Sequence, residues 1–145
     1  MKNILSVLCL RSIIDQETNN ISLIDCLEQL NIQINEGDKN IKDKVFPIAF
    51  DFVSIFIDEN VKEERRFDFI LETVDGKGEK LGEIKGQIIM KEGIKRMRHR
   101  IKMQGLKVAD SGTYVFKIKY KKTGEEKFKE LAEIPLDVNI SYKLM

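Results

Sequence analysis

A single histidine, His99, and two cysteines, Cys9 and Cys26, are the side chains best suited to nucleophilic or metal chemistry in this sequence. Nucleophilic catalysis needs a base held beside the nucleophile. His99 lies instead within Arg96-Met97-Arg98-His99-Arg100, where its inward parity and cationic neighbours suit a structural histidine. One histidine and two separated cysteines do not complete the tetrahedral ligand set of a structural zinc site without carboxylates. Acids adjacent in sequence, such as Asp58 and Glu59 or Glu63 and Glu64, are what a solvated charged loop contains, because catalytic carboxylate pairs are defined by separation across a cleft. Gly76, Gly78 and Gly82 have the density of a phosphate-cradling loop. That chemistry requires a helix N-terminus after the glycines, and here a strand pattern follows, so a hairpin turn is expected. No catalytic residue, cofactor or metal site is expected.

The one charge feature with a binding chemistry is the row Arg96, Arg98, Arg100 and Lys102, which alternates with Met97, His99, Ile101 and Met103. As a strand, this segment turns its apolar members inward and offers four cations on the opposite face, a geometry that could grip phosphates. The competing reading is a solvated face paired with acids on a neighbouring strand. Its surroundings lack the exposed aromatics of a single-strand binder. A helix also fits Ile94, Met97 and Ile101, but Gly93 and Gly105 bracket the segment and favour a strand.

These residues need a scaffold, and the bulk of the chain defines its kind. With 145 residues it is long enough to bury a core without staples, and residues 1–145 are read as a single domain. The 25 basic and 24 acidic residues nearly cancel, so electrostatic function is expected to be local. Ile4 to Leu10 has the outline of a short signal peptide, but the run is at the lower limit and no small-residue cleavage site follows. Leu8 before Cys9 also departs from a lipoprotein signal. No run is long enough to span a membrane, and the protein is expected to be cytoplasmic, with Cys9 and Cys26 as reduced thiols buried like small hydrophobes.

Period-two alternation then runs through the chain. Lys2 to Ile14 is apolar on both faces and reads as a strand covered on both sides, with a helix as the alternative. Asp15 to Asn20 is a turn, and Ile21 to Ile34 returns as a second strand, which sets Cys9 opposite Cys26. Asn35 to Lys44 is expected to be an exposed loop. Phe46, Ile48, Phe50, Phe52 and Phe56 share a face of the most apolar strand, a row that reads as core, with Pro47 at a strand start or an edge. Asp58 to Arg66 is a charged turn, and Phe67, Phe69 and Leu71 alternate in the next strand. Ile84, Gly86, Ile88 and Met90 mark another, and Ile134 to Tyr142 a last one whose outer edge begins unpaired at Pro135. The clearest stretch is Leu106 to Tyr120: Asp110-Ser111-Gly112 makes a turn, and Tyr114, Phe116, Ile118 and Tyr120 line one face of a strand. Without a long amphipathic helix, this pattern predicts an all-β antiparallel sandwich of about seven to nine strands.

Two resemblances carry further. Cys9, Arg11, Ile14 to Thr18 and Ile21 to Ile24, with the Gly-x-Tyr-x-Phe of Gly112 to Phe116, are similar to an uncharacterised family of short bacterial proteins known only as a domain of unknown function. Leu10 departs from the acidic residue, and Asn19 from the glycine, expected at those positions. The resemblance implies a fold and brings no activity. Ile101, Met103, Leu106, Asp110, Gly112 and Tyr114 also resemble the E strand, EF turn and F strand of immunoglobulin variable-type domains, with Phe116 in place of the second cysteine. That likeness implies a buried Tyr114 whose hydroxyl bonds backbone near Asp110, and a Phe116 ring filling the space between sheets in place of a disulfide. Function is expected to be a non-enzymatic interaction with another protein or a second copy, through loops or a sheet edge; nucleic-acid binding by the basic row is the alternative.

Overall fold

A computed structural model describes residues 1–35 and 44–143. Of the expected loop between Asn35 and Lys44, positions 36–43 lie outside the described residues. Nine strands follow in order: β1 (Lys2–Ile14), β2 (Ile21–Cys26), β3 (Gln29–Asn35), β4 (Lys44–Ile57), β5 (Arg65–Val74), β6 (Lys80–Met90), β7 (Arg96–Val108), β8 (Gly112–Lys122) and β9 (Lys129–Lys143). They form two sheets, ordered β2-β1-β4-β7 and β3-β9-β8-β5-β6. The architecture is an all-β, immunoglobulin-like sandwich, and the described residues contain no helix.

Each sheet turns one row of alternating side chains towards the other, and these rows make the core. Phe50, Phe52 and Phe56 from β4 meet Phe67, Phe69 and Leu71 from β5 and Tyr114, Phe116, Ile118 and Tyr120 from β8, all buried. Phe46 and Ile48 are half-buried against the same core, so the phenylalanine row faces inward as expected. Phe50 and Phe116 cross the space between sheets in an edge-on contact, ring centroids 5.9 Å apart. Such a pair stabilises by about 0.5–1.5 kcal/mol beyond the area it buries. Phe116 thus packs across the space between the two sheets.

Four expectations are corrected. Ile21 to Ile34 is not one strand: the chain breaks after Cys26, β2 stays with β1, and β3 crosses to the other sheet, where it runs parallel to β9. That pair is the exception among otherwise antiparallel ladders of the described residues. β1 is not covered on both sides, since Ile4, Leu5, Leu10 and Ile13 are exposed. Cys26 is exposed rather than buried, because β2 is an edge strand. Gly105 does not end its strand: β7 continues to Val108, and Gly105 adopts φ 94° opposite a register shift between Phe46 and Ala49. The bulge takes up Pro47, which lacks an N–H, at a point β1 does not reach, since β1 pairs β4 only from Asp51 to Ile57.

Pro135 behaves as its chemistry predicts. β3 pairs with β9 only from Asp137 onward, so the proline precedes the paired stretch of that edge. Asn19, standing where glycine was expected, takes φ 59°, the left-handed conformation that asparagine tolerates. The β5–β6 connection is a hairpin, with Asp75 Oδ1 accepting from the N–H groups of Lys77 and Glu79, both at 2.9 Å.

Candidate functional site

The alternation of β7 is as expected: Met97, His99, Ile101 and Met103 lie towards the core, and Arg96, Arg98, Arg100 and Lys102 lie opposite. The four cations do not form a uniform free row. The tip of the β1–β2 hairpin folds over the same sheet face. Ser12 donates from its hydroxyl to Asp51 Oδ2 at 2.6 Å and from its N–H at 3.1 Å. Arg100 Nη1 donates to the Ser12 carbonyl and hydroxyl at 3.3 and 3.2 Å, and Arg98 Nη2 donates to the Asn19 carbonyl. Arg98 is half-buried, and its Nη1 is buried without a hydrogen-bond partner among the described residues. Arg96 and Lys102 are exposed at the two ends.

His99 is half-buried under β5 and β8. Its Nδ1 lies 3.0 Å from the Tyr120 hydroxyl, and its ring meets Phe69 edge-on at 4.4 Å between centroids. Burial among these rings brings its pKa down to about 4, so the imidazole is neutral at pH 7, and burial likewise raises that of Tyr120. A phenol that keeps its proton and an imidazole that lacks one define the bond: Tyr120 donates and Nδ1 accepts. That arrangement is a cross-sheet lock, with neither partner poised to move a proton to a substrate.

A second polar cluster was not visible in the sequence. Arg65, expected in a charged turn, opens β5 and is 1% exposed. Its Nε donates to Asp58 Oδ2 at 2.9 Å, Nη1 to the carbonyl of Glu63 at 3.1 Å, and Nη2 to that of Ile94. The guanidinium thus clasps the 58–64 segment to the β6–β7 turn and spends its donors within the fold. Arg65 shares the inward parity of Phe67, Phe69 and Leu71 while Arg66, on the other face, is exposed; the partners that satisfy the buried guanidinium have no mark in the sequence.

The remaining feature is a groove formed by topology. β6 and β7 are the edge strands of different sheets, and each has a ladder partner on only one side, β5 and β4 respectively. Away from the turn that joins them they part, leaving a groove of about 290 Å³ lined by Leu71, Leu81, Ile84, Met103 and Leu106. Glu83, Lys102 and Gln104 stand at it among polar neighbours. Glu83 is paired with Lys80 and Lys85 along β6. On this side, among the described residues, neither strand has a ladder partner. Among the described residues no cluster of three or more His, Cys, Asp or Glu could hold a metal. Nor, among the described residues, is any helix long and apolar enough to cross a membrane.

No protein-family model and no curated protein matches the chain. The resemblance to a bacterial domain of unknown function therefore rests on the residues quoted for it. Among solved structures, the apo form of the Calx CBD1 domain aligns over 77% of this chain and 92% of its own, at 11% identity and a TM-score of 0.36. The CooA pilin subunit from enterotoxigenic Escherichia coli aligns over 95% and 98%, at 10% identity and a TM-score of 0.31. A family 123 glycoside hydrolase from Clostridium perfringens aligns over 96% of this chain but only 27% of its own, at 8% identity and a TM-score of 0.41. These are likenesses of β-sandwich shape and bring no activity to this chain.

Proposed function

We propose that the protein is a non-enzymatic interaction module that receives an extended segment of a partner protein in the groove between β6 and β7. The observation that carries this reading is the coincidence of two long unpaired edges with an apolar floor. An added strand gains main-chain hydrogen bonds from an edge, and alternate side chains of that strand gain burial from the floor. Polar neighbours around an apolar centre give the arrangement expected of an interface. A cytoplasmic setting is part of the same proposal.

Nucleic-acid binding through the basic row is the weaker reading, because Arg98 and Arg100 already bond the β1–β2 hairpin and leave Arg96 and Lys102 apart. The two readings separate in one experiment. Affinity capture from the native cell is run with wild type, with Leu81→Lys plus Met103→Lys, and with Arg96→Glu plus Lys102→Glu. The groove reading expects a protein that is recovered by the first and third and lost with the second. Recovery that survives the groove substitutions but falls with the charge reversals, or is released by nuclease, overturns it.

A further inference from the structure

Cys9 and Cys26 are Cα partners across the β1–β2 ladder, and their neighbours decide which kind of pair they make. The Leu27 N–H donates to the Leu8 carbonyl at 2.8 Å, so Leu8 turns its main-chain groups towards the β2 side. By strand alternation Cys9 turns its own towards β4, where its partner is Asp51. Cys9 and Cys26 are therefore a non-hydrogen-bonded antiparallel pair, the closer kind, for which a regular ladder sets the Cα atoms about 4.5 Å apart. That spacing falls within the roughly 4.4–6.8 Å spanned by disulfides, and paired residues project to the same sheet face. The two thiols differ in access: Cys9 is fully buried and Cys26 is exposed on its edge strand. Burial, followed by the Asp51 carboxylate and Cys26, raises the pKa of Cys9.

We propose that Cys9 and Cys26 form a reversible cross-strand disulfide, in which Cys26 meets the oxidant and Cys9 resolves the intermediate. Glutathione disulfide is an oxidant of the right class. The Cys26 thiolate attacks one of its sulfurs, forming a Cys26–glutathione mixed disulfide and releasing one glutathione thiolate. Cys9 then loses its proton and attacks the Cys26 sulfur, forming the Cys9–Cys26 bond and releasing the second glutathione. Two protein thiols are oxidised, one glutathione disulfide is reduced to two glutathiones, and the two thiol protons end on them. The bond lies at the root of the hairpin, beside Asp25 at φ 53°, and the same hairpin accepts from Arg98 at Asn19 and from Arg100 at Ser12. Oxidation would thus tether the element to which Arg98 and Arg100 of the basic row are bonded. This site is separate from the β6–β7 groove.

The test is equilibration of the folded full-length protein with glutathione disulfide and glutathione, followed by acid quench, alkylation and peptide mass spectrometry. The expected product has lost two hydrogens, carries no alkyl group and yields a linked Cys9–Cys26 peptide; excess glutathione restores both thiols. Cys9→Ala should stop at a glutathione adduct on Cys26. Wild type that also stops at this adduct, that keeps both thiols free, or that forms the linked peptide only in urea overturns the proposal.

Discussion

The Tyr114 hydroxyl donates to the Asp110 carbonyl at 2.8 Å and accepts from the Ala109 N–H at 2.9 Å, with the side chain fully buried. One phenol thus serves both main-chain groups of the turn between β7 and β8, which belong to opposite sheets. Tyr114→Phe leaves both unserved and should cost about 1–3 kcal/mol with the fold retained. Tyr114→Ala adds a cavity and should cost about 3–5 kcal/mol. Urea midpoints of the two variants check this, and a Phe variant as stable as wild type would contradict it. His99 supplies a pH dependence. Its folded pKa of about 4 lies below the ordinary 6.5, so between these values the unfolded chain holds more protons. Its contribution is complete above pH 6.5 and is lost as pH falls towards 4, by up to about 3 kcal/mol. His99→Leu should flatten the stability profile across that window, and an unchanged slope would count against it. Tyr114 was legible because its partners are its own neighbours in sequence. Arg65 was not, because the carbonyl of Ile94 that it binds lies far along the chain.

At the scale of elements, the β1–β2 hairpin shows where alternation succeeds and where it stops informing. The turn and the Cys9–Cys26 register follow from local residues, with Asp15 Oδ1 accepting from the N–H groups of Glu17 and Thr18. The break between β2 and β3 has a fainter mark: the apolar set moves from odd positions, Ile21 and Leu23, to even ones, Leu30, Ile32 and Ile34. A strand cannot change face without a break or bulge, so that shift was readable. The bend of the hairpin over the basic row was not, because it depends on Ser12 meeting Asp51 from a distant part of the chain. Ser12→Ala removes the hydroxyl bond to that carboxylate and should cost about 1.5–3 kcal/mol, as for bonds to charged groups. Amide exchange across residues 13–21 should quicken while the β8 amides stay protected; equal loss in both would mean that the hairpin is not a separate unit.

For the whole molecule, two-sheet architecture follows from alternation, since each strand has an apolar face that only a second sheet can cover. Which strands stand at the edges does not follow. Edges are set by strand order, and neither Leu81 nor Met103 carries a local sign that it will line a groove rather than a core. The interaction reading therefore rests on topology, and main-chain hydrogen exchange of the complex is its most direct measurement. With the captured partner bound, amides of β6 or β7 that face away from β5 and β4 should gain protection, alternating along the strand as a new ladder forms. Protection confined to the hairpin, the connecting loops or the β2 and β3 edges, with β6 and β7 unchanged, would contradict the account.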